Sequence, residues 1–493
     1  MVACTGFDTG VTTEAEMMTR FLQRDRSWDG RFLTGVLTTG IYCLVSCPAR
    51  RPRPENVRFF ATERDAQAAG LRPCRRCRPD RFLASGDPDI RLYESVWSQV
   101  RAEPGAFAGV PDIAGAAGIG ATRCNDLFRR HGHATPAAAL QRARVEHAAR
   151  ALLGSERRLI DIALDAGFDS SSAFHQNFQD LMRMTPRAYR ALRSASEFTI
   201  ALPADFRHGD TLRQLGRDAG APDQRVDGAR VGKALWLDGN AVALTLRIQR
   251  RNVRCTIESR RHSGPVAMAA AHAAALRLLG LDADPEPFQR RARRDRDQRR
   301  LVALRPGLRV LQNGSAFESF CWSVIGQQIN LSLAFRCRTA MFELAGVPTV
   351  GGLQPHPTPA AVAAIAPQDL RGRQFSGRKI EYLQDTPAMI DRGELPLGEL
   401  ASGSAMHAER TLLALRGIGP WSSNYVMMRG FGFGDCAPIG DTGITSALQR
   451  WLDLDVRPDA EATVRLLEPF APHRSLACWH LWRSLDDPEL EDC

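Results

Sequence analysis

The stretch TTGIYCLVSC, Thr38–Cys47, decides the N-terminal fold together with RPCRRC, Arg72–Cys77, which supplies a second close cysteine pair. Cys43-x3-Cys47 and Cys74-x2-Cys77 have the ligand count and pair spacing of a tetrahedral Cys4 zinc site. Spacing alone leaves two readings open. The thiols either close a zinc ribbon that staples a small domain, or they also react.

Working outward, the chain has 493 residues and 44% hydrophobic content, which predicts about three domains. Its net charge of +10 rests almost wholly on arginine, because Lys233 and Lys379 are the only lysines among 65 basic residues. That excess points to a polyanionic partner, nucleic acid before membrane. The start MVACTGFDTG has neither a basic region nor an apolar core, so no signal peptide is expected. The longest apolar run, VAMAAAHAAALRLLGL, is interrupted by His272 and Arg277 and is too short to span a bilayer. A cytoplasmic, nucleoid-associated protein follows. There, 12 cysteines in so long a chain read as metal or catalytic groups before disulfides.

The fold class expected is multi-domain and mainly α with α+β parts. A small zinc-bound α/β domain occupies 1–85, a double helix-turn-helix domain 86–195, a mixed α/β domain 196–300 and a helix-hairpin-helix domain 301–493. The second segment contains an internal repeat. Ala114-x3-Gly118, Phe128 and Thr135-Pro136 recur as Ala163-x3-Gly167, Phe178 and Thr185-Pro186, offset by 49 to 50 residues. In the third, Val242, Leu244, Leu246 and Ile248 alternate with small or polar residues, as do Val253, Cys255 and Ile257, predicting a β-hairpin. The run QRRARRDRDQRR, 289–300, reads as a solvated linker or helix end.

TTGIYCLVSC, ENVRFF and AAGLRPCRRCRPD together resemble the N-terminal domain of the Ada family, which repairs methylphosphotriesters in DNA. The resemblance implies that Cys43 is the methyl acceptor and that Cys43, Cys47, Cys74 and Cys77 bind one zinc ion. Metal-bound sulfur stays a thiolate at neutral pH, so it attacks a methyl carbon without a general base. The thioether product has no evident route back, giving one turnover per molecule. Formal charge at the site falls from −2 to −1, so DNA affinity is expected to rise. Arg72, Arg75, Arg76, Arg78 and Arg81 stand ready to hold the backbone.

LIDIALDAGFDSSSAFHQNFQDLMRMTPRAYR, 159–190, resembles the signature of AraC-type regulators, which carry two helix-turn-helix units on one domain. Recognition residues expected are Arg123 and Asn125 in the first copy, and Ser171, His175 and Gln176 in the second. Cys124 reads as a packing residue. Arg183 departs from the family, which places glycine there, and makes a left-handed turn less comfortable.

RTLLALRGIGPWSSNYVMMRG, 410–430, places Gly417-Ile418-Gly419 between two apolar-periodic stretches, with Pro420 suited to open a helix. That is a helix-hairpin-helix pattern, whose glycines and helix-start amides admit a phosphate. With APIGDTGI, LPADFRHGDTLRQLGRD, LRPGLRVLQNGSAFESFCWSVIGQQI and WHLW, the string resembles the AlkA-type alkyladenine glycosylases. The resemblance implies that Asp441 is the catalytic carboxylate and that Trp421, Tyr425 and Trp482 line the base pocket. It further implies that Gln328 wedges the duplex, that Gly417 and Gly419 meet DNA, and that a monovalent cation binds at the hairpin.

N-alkylated purines already carry positive charge, so one carboxylate suffices to stabilise the oxocarbenium-like sugar. Related enzymes that also cut the backbone use a lysine after the hairpin; here Trp421 stands there, and neither lysine is near it in sequence. A monofunctional enzyme is expected. Too few cysteines follow Asp441 for an iron–sulfur cluster, and no Pro-Cys-His-Arg string marks a second acceptor domain. The partners expected are double-stranded DNA and RNA polymerase, with the chain a monomer. Two rival readings are a regulator whose glycosylase-like domain only scans DNA, and a glycosylase targeted by a structural zinc module.

Overall fold

The computed structural model describes residues 14–259 and 264–486, apart from the side chains of Ser27, Arg81, Ala84 and Ser85. The stretch read for a signal peptide, the Arg81 side chain and Cys493 lie outside the described residues. Two compact units form, one ending at Ser95 and the other beginning at Val96. Among the described residues, no helix is long and apolar enough to cross a membrane.

The first unit is built on a four-stranded sheet in the order Val57–Phe60, Leu33–Val36, Ile41–Cys43, Arg72–Pro73. The last pair is parallel, with Ile41 opposite Arg72 and Tyr42 opposite Pro73. This register joins the two cysteine pairs: Cys43 ends one strand and Cys74 follows its neighbour, donating its N–H to the Tyr42 carbonyl at 3.0 Å. Two apolar clusters, one around Leu33, Tyr42, Phe60 and Phe82 and one around Phe21, Phe32 and Phe59, complete the unit. So small a core gains from a metal staple.

In the second unit the repeat becomes two helix-turn-helix pairs, Val110–Ala116 with Ala121–Gly132 and Leu159–Asp165 with Ser171–Met182. Gly118 and Gly167 turn the chain at φ 63° and 89°. Thr135 and Thr185 cap the helices that follow, each accepting the N–H three residues on at 3.2 Å. Cys124 is fully buried.

The second unit also contains an antiparallel five-stranded sheet, ordered Glu197–Ala201, Asn252–Ser259, Asn240–Ile248, Arg230–Leu237, Gln224–Asp227. Val242, Leu244, Leu246 and Ile248 point into the core, as their alternation predicts. The arginine-rich run is not a linker. It forms the helices Glu286–Ala292 and Arg296–Ala303, whose Phe288, Ala292, Leu301 and Val302 pack with Ile444, Leu448 and Leu481. Apolar residues at the two edges of the run, with Ala292 inside it, decide this, and charge density hides them.

One core runs from Val145 and Phe174 through Leu246 and Phe320 to Leu383 and Trp479. Residues 195/196 and 300/301 therefore mark no break in packing. Polar contacts also tie the double helix-turn-helix to the rest of the unit. Trp97 Nε1 donates to the Ser402 carbonyl at 3.0 Å, and His131 Nδ1 lies 2.8 Å from Ser404 Oγ. Ser404 caps Ala405–Leu413, the first helix of the hairpin motif.

Both recognition helices end in left-handed residues, His133 at φ 51° and Arg183 at φ 55°. Such a backbone costs on the order of 1 kcal/mol outside glycine. Each is offset by a bond: the Asp435 N–H donates to His133 Nδ1 at 3.1 Å, and the Ala201 N–H to the Arg183 carbonyl at 2.9 Å. Burial brings His133 down to about 4, so its ring is neutral at pH 7 and free to accept.

Candidate active sites

In the first unit the four cysteine sulfurs lie within 4.8 Å of one another, and Cys47 Sγ is 3.9 Å from Cys74 Sγ. Tetrahedral zinc with bonds of about 2.3 Å separates its sulfurs by about 3.8 Å, so the cluster fits the metal. Its proton chemistry fits too. Hydrogen bonds from the Cys43 and Cys77 thiols hold Cys47 well below the ordinary thiol range, while the contact with Cys47 drives Cys43 up. Four sulfurs at this spacing ionise together only around a cation.

Backbone N–H groups reach three of the sulfurs: Leu44 to Cys77 and Arg76 to Cys74, both at 3.4 Å, and Ala49 to Cys47. Among the described residues, Cys43 Sγ takes none. Cys43, Cys47 and Cys74 are buried and Cys77 is half-buried. Arg72, Arg75, Arg76 and Arg78 are all exposed around the cluster.

The recognition helices present Arg123, Ser171 and Gln176 at the surface, with Asn125 and His175 half-buried. Several of these groups are engaged on their own helix. Asn125 donates to the Ala121 carbonyl at 3.0 Å, His175 Nδ1 lies 2.8 Å from the Ser171 carbonyl, and Gln176 donates to Asp180 at 2.9 Å.

The second unit contains a cavity of about 470 Å³, walled by Trp421, Tyr425, Trp482 and Asp441. Asp441 caps Thr442–Trp451, its Oδ1 accepting the Ile444 N–H at 2.9 Å. Two of the pocket's tryptophans hold the same carboxylate, Trp482 Nε1 on Oδ1 and Trp421 Nε1 on Oδ2, each at 2.8 Å. Three donors fix its direction. Trp421 and Tyr425 stack at 5.6 Å with an interplanar angle of 21°.

Gly417 is left-handed at φ 81° and packs so closely on the Tyr382 ring that no side chain fits. Gly419 faces open space at the start of Pro420–Val426. Gln328 is exposed at φ 53° in the turn after Ala316–Ile325. Its neighbour Gln327 was not singled out in the sequence, yet Nε2 of Gln327 donates to the Gly417 carbonyl at 2.9 Å and to Ser422 Oγ at 3.2 Å. The turn is thereby tied to the hairpin.

Trp322, Arg429 and Trp479 also line the cavity, and so does Lys233, far from it in sequence. Lys233 Nζ donates to Asp223 Oδ2 at 2.6 Å and Glu318 Oε1 at 2.8 Å, with Arg338 bonded to the same Asp223. Burial opposes the Lys233 charge, but Asp223 and Glu318 outweigh it and raise its pKa above the ordinary value. The ammonium is locked. Lys233→Met leaves two buried carboxylates sharing Arg338 as their remaining cation, so a loss of about 3 kcal/mol in urea unfolding is expected. Lys379 also lies nearer the site than sequence separation predicts, its Nζ bonded to the Ile325 carbonyl at 2.7 Å.

Fold and sites define a class: a zinc-binding module and a helix-turn-helix reader joined to a base-excision repair domain. Family models match in that order, the metal binding domain of Ada over residues 16–80, a helix-turn-helix domain over 113–192, and the HhH-GPD superfamily base excision DNA repair protein over 321–472. The chain belongs to the family of the probable bifunctional transcriptional activator/DNA repair enzyme AlkA of Mycobacterium tuberculosis. It is 31% identical to that protein over 495 residues, covering 94% of this chain and 95% of the relative.

The bifunctional transcriptional activator/DNA repair enzyme Ada of Escherichia coli is 32% identical over 178 residues, 36% of this chain and 49% of that one. The DNA-3-methyladenine glycosylase of Bacillus subtilis is 31% identical over 208 residues, 42% of this chain and 69% of that one. Among solved structures, the 3-methyladenine DNA-glycosylase from Archaeoglobus fulgidus shares the fold, with TM-score 0.51 and 22% identity over 58% of this chain and 97% of that one.

Proposed function

We propose that this chain repairs alkylated DNA by two chemistries, methyl transfer to Cys43 and excision of N-alkylated purines, and converts the first into transcription activation. The excision reading rests on one observation: a carboxylate held on a cavity wall by one indole N–H at each oxygen. A flipped base enters the cavity and stacks on Trp421 and Tyr425. Asp441 then faces the sugar, where positive charge develops as the bond to the cationic base breaks. Capping the helix uses Oδ1 alone, and a module that only scans DNA has no use for a second oxygen held on the cavity wall by Trp421.

Neither lysine amine is poised to attack the sugar carbon, since Lys233 is held as an ammonium by two carboxylates and Lys379 Nζ is bonded to the Ile325 carbonyl. Borohydride added during turnover is therefore expected to trap no covalent DNA adduct on a denaturing gel. A trapped species would overturn the monofunctional assignment. Gln328 enters the duplex as the base leaves, and the open face at Gly419 takes a phosphate.

In the first unit, zinc when bound holds the four sulfurs as thiolates. Cys43 is the nucleophile because hydrogen bonds from backbone N–H groups quiet the other three. Its sulfur forms a bond to the methyl carbon as the methyl–oxygen bond of the phosphotriester breaks, leaving a phosphodiester anion. The cluster loses one negative charge, and the exposed arginines around it then hold the backbone more tightly. The double helix-turn-helix reads a promoter through Arg123, Asn125, Ser171, His175 and Gln176. RNA polymerase is the partner recruited, and the chain acts as a nucleoid-associated monomer.

A further inference from the structure

Trp421, Tyr425 and Arg429 follow at intervals of four residues and so share one helix face. Arg429 lies in a π-helical turn, Met427–Phe431, a distortion frequent at functional sites. Its Cζ stands 4.7 Å from the Trp479 ring centroid and 5.8 Å from that of Tyr425. The side chain is only 8% exposed.

The charge is not neutralised locally. Arg429 Nη2 donates to the amide oxygen of Asn313 at 2.9 Å, and its buried Nε has no acceptor. Among the described residues no carboxylate pairs with it, and Glu318 acts on it only over a distance. A fixed cation thus sits on two of the aromatic rings that wall the base cavity.

An aromatic face attracts a cation through its quadrupole, and a ring already carrying a guanidinium offers less to a second one. Between like charges inside a protein cavity the repulsion is also screened less than in bulk water. Neutral bases stack on the same rings without that loss. Building on the glycosylase reading, we propose that Arg429 sets the substrate range: its unneutralised guanidinium weakens ground-state binding of cationic damaged bases and so brings neutral ones into competition.

The test uses the full chain and duplexes carrying either 7-methylguanine, which is cationic, or hypoxanthine, which is neutral. Both are placed on 2′-fluoro sugars, which resist cleavage, so that affinity is read without turnover. Arg429→Gln is expected to tighten binding of the cationic duplex about fivefold to tenfold relative to the neutral one, whereas Arg429→Lys keeps the ratio within about twofold. Asn313→Asp neutralises the same charge with an isosteric partner, and it is expected to shift the ratio in the same direction even if the glutamine variant misfolds. An unchanged ratio in Asn313→Asp, or an equal shift in Arg429→Lys, would overturn the proposal. Base release from the unmodified duplexes is scored separately, so a failure of the glycosylase reading is seen as such.

Discussion

Asp441→Asn is expected to lower release of 3-methyladenine from methylated DNA by at least about a hundredfold, with binding to an abasic-site duplex changed far less. Two losses combine. The charge that faces the sugar disappears, and the carboxylate's three donors, Trp421, Trp482 and the Ile444 N–H, now meet an amide whose nitrogen cannot accept. At least one indole is thus left facing another donor, so the pocket wall also shifts. Asp441→Glu separates these contributions: it restores charge but lengthens the reach, and partial recovery is expected. Release at the wild-type rate from the asparagine variant would remove Asp441 from its role.

Cys43→Ala is expected to abolish methyl uptake from methylphosphotriester DNA, reading as a loss of the one-methylene mass gain on the Cys43 peptide. The effect is all or none because the sulfur is consumed as a reactant. Wild-type protein should carry the mark on Cys43 alone, although Cys77 is the least buried of the four. Nucleophilicity decides against exposure here. A thiolate that accepts an N–H bond is stabilised in its ground state, and Cys47, Cys74 and Cys77 each accept one. A methyl group found on Cys77 would show that access had governed instead.

Much of this was legible because the signals are local. The cysteine pairs, the repeated Ala-x3-Gly and Thr-Pro elements, the alternating hairpin and Gly417-Ile418-Gly419 each declare themselves within about twenty residues. The cavity wall does not, because Lys233, Trp322, Arg429 and Trp479 reach it from four separate elements. No spacing rule joins a β-strand lysine to a carboxylate on a distant helix. Arg183 was legible as an oddity, but its remedy, the Ala201 N–H, exists only once that strand has paired. The arginine-rich run misleads for a similar reason: Ala292 and the apolar residues that flank the run matter only when the helix Arg474–Ser484 arrives to cover them.

The clamp between the first recognition helix and the hairpin's leading helix has one more consequence. Through Trp97, His131 and His133, the promoter-reading and base-excising surfaces share one frame, with no slack tether between them. If both surfaces of this unit hold one duplex, they act on it like calipers with set jaws. A lesion close to a bound promoter is within reach or beyond it according to the geometry of the protein, and lengthening the chain elsewhere does not alter that distance.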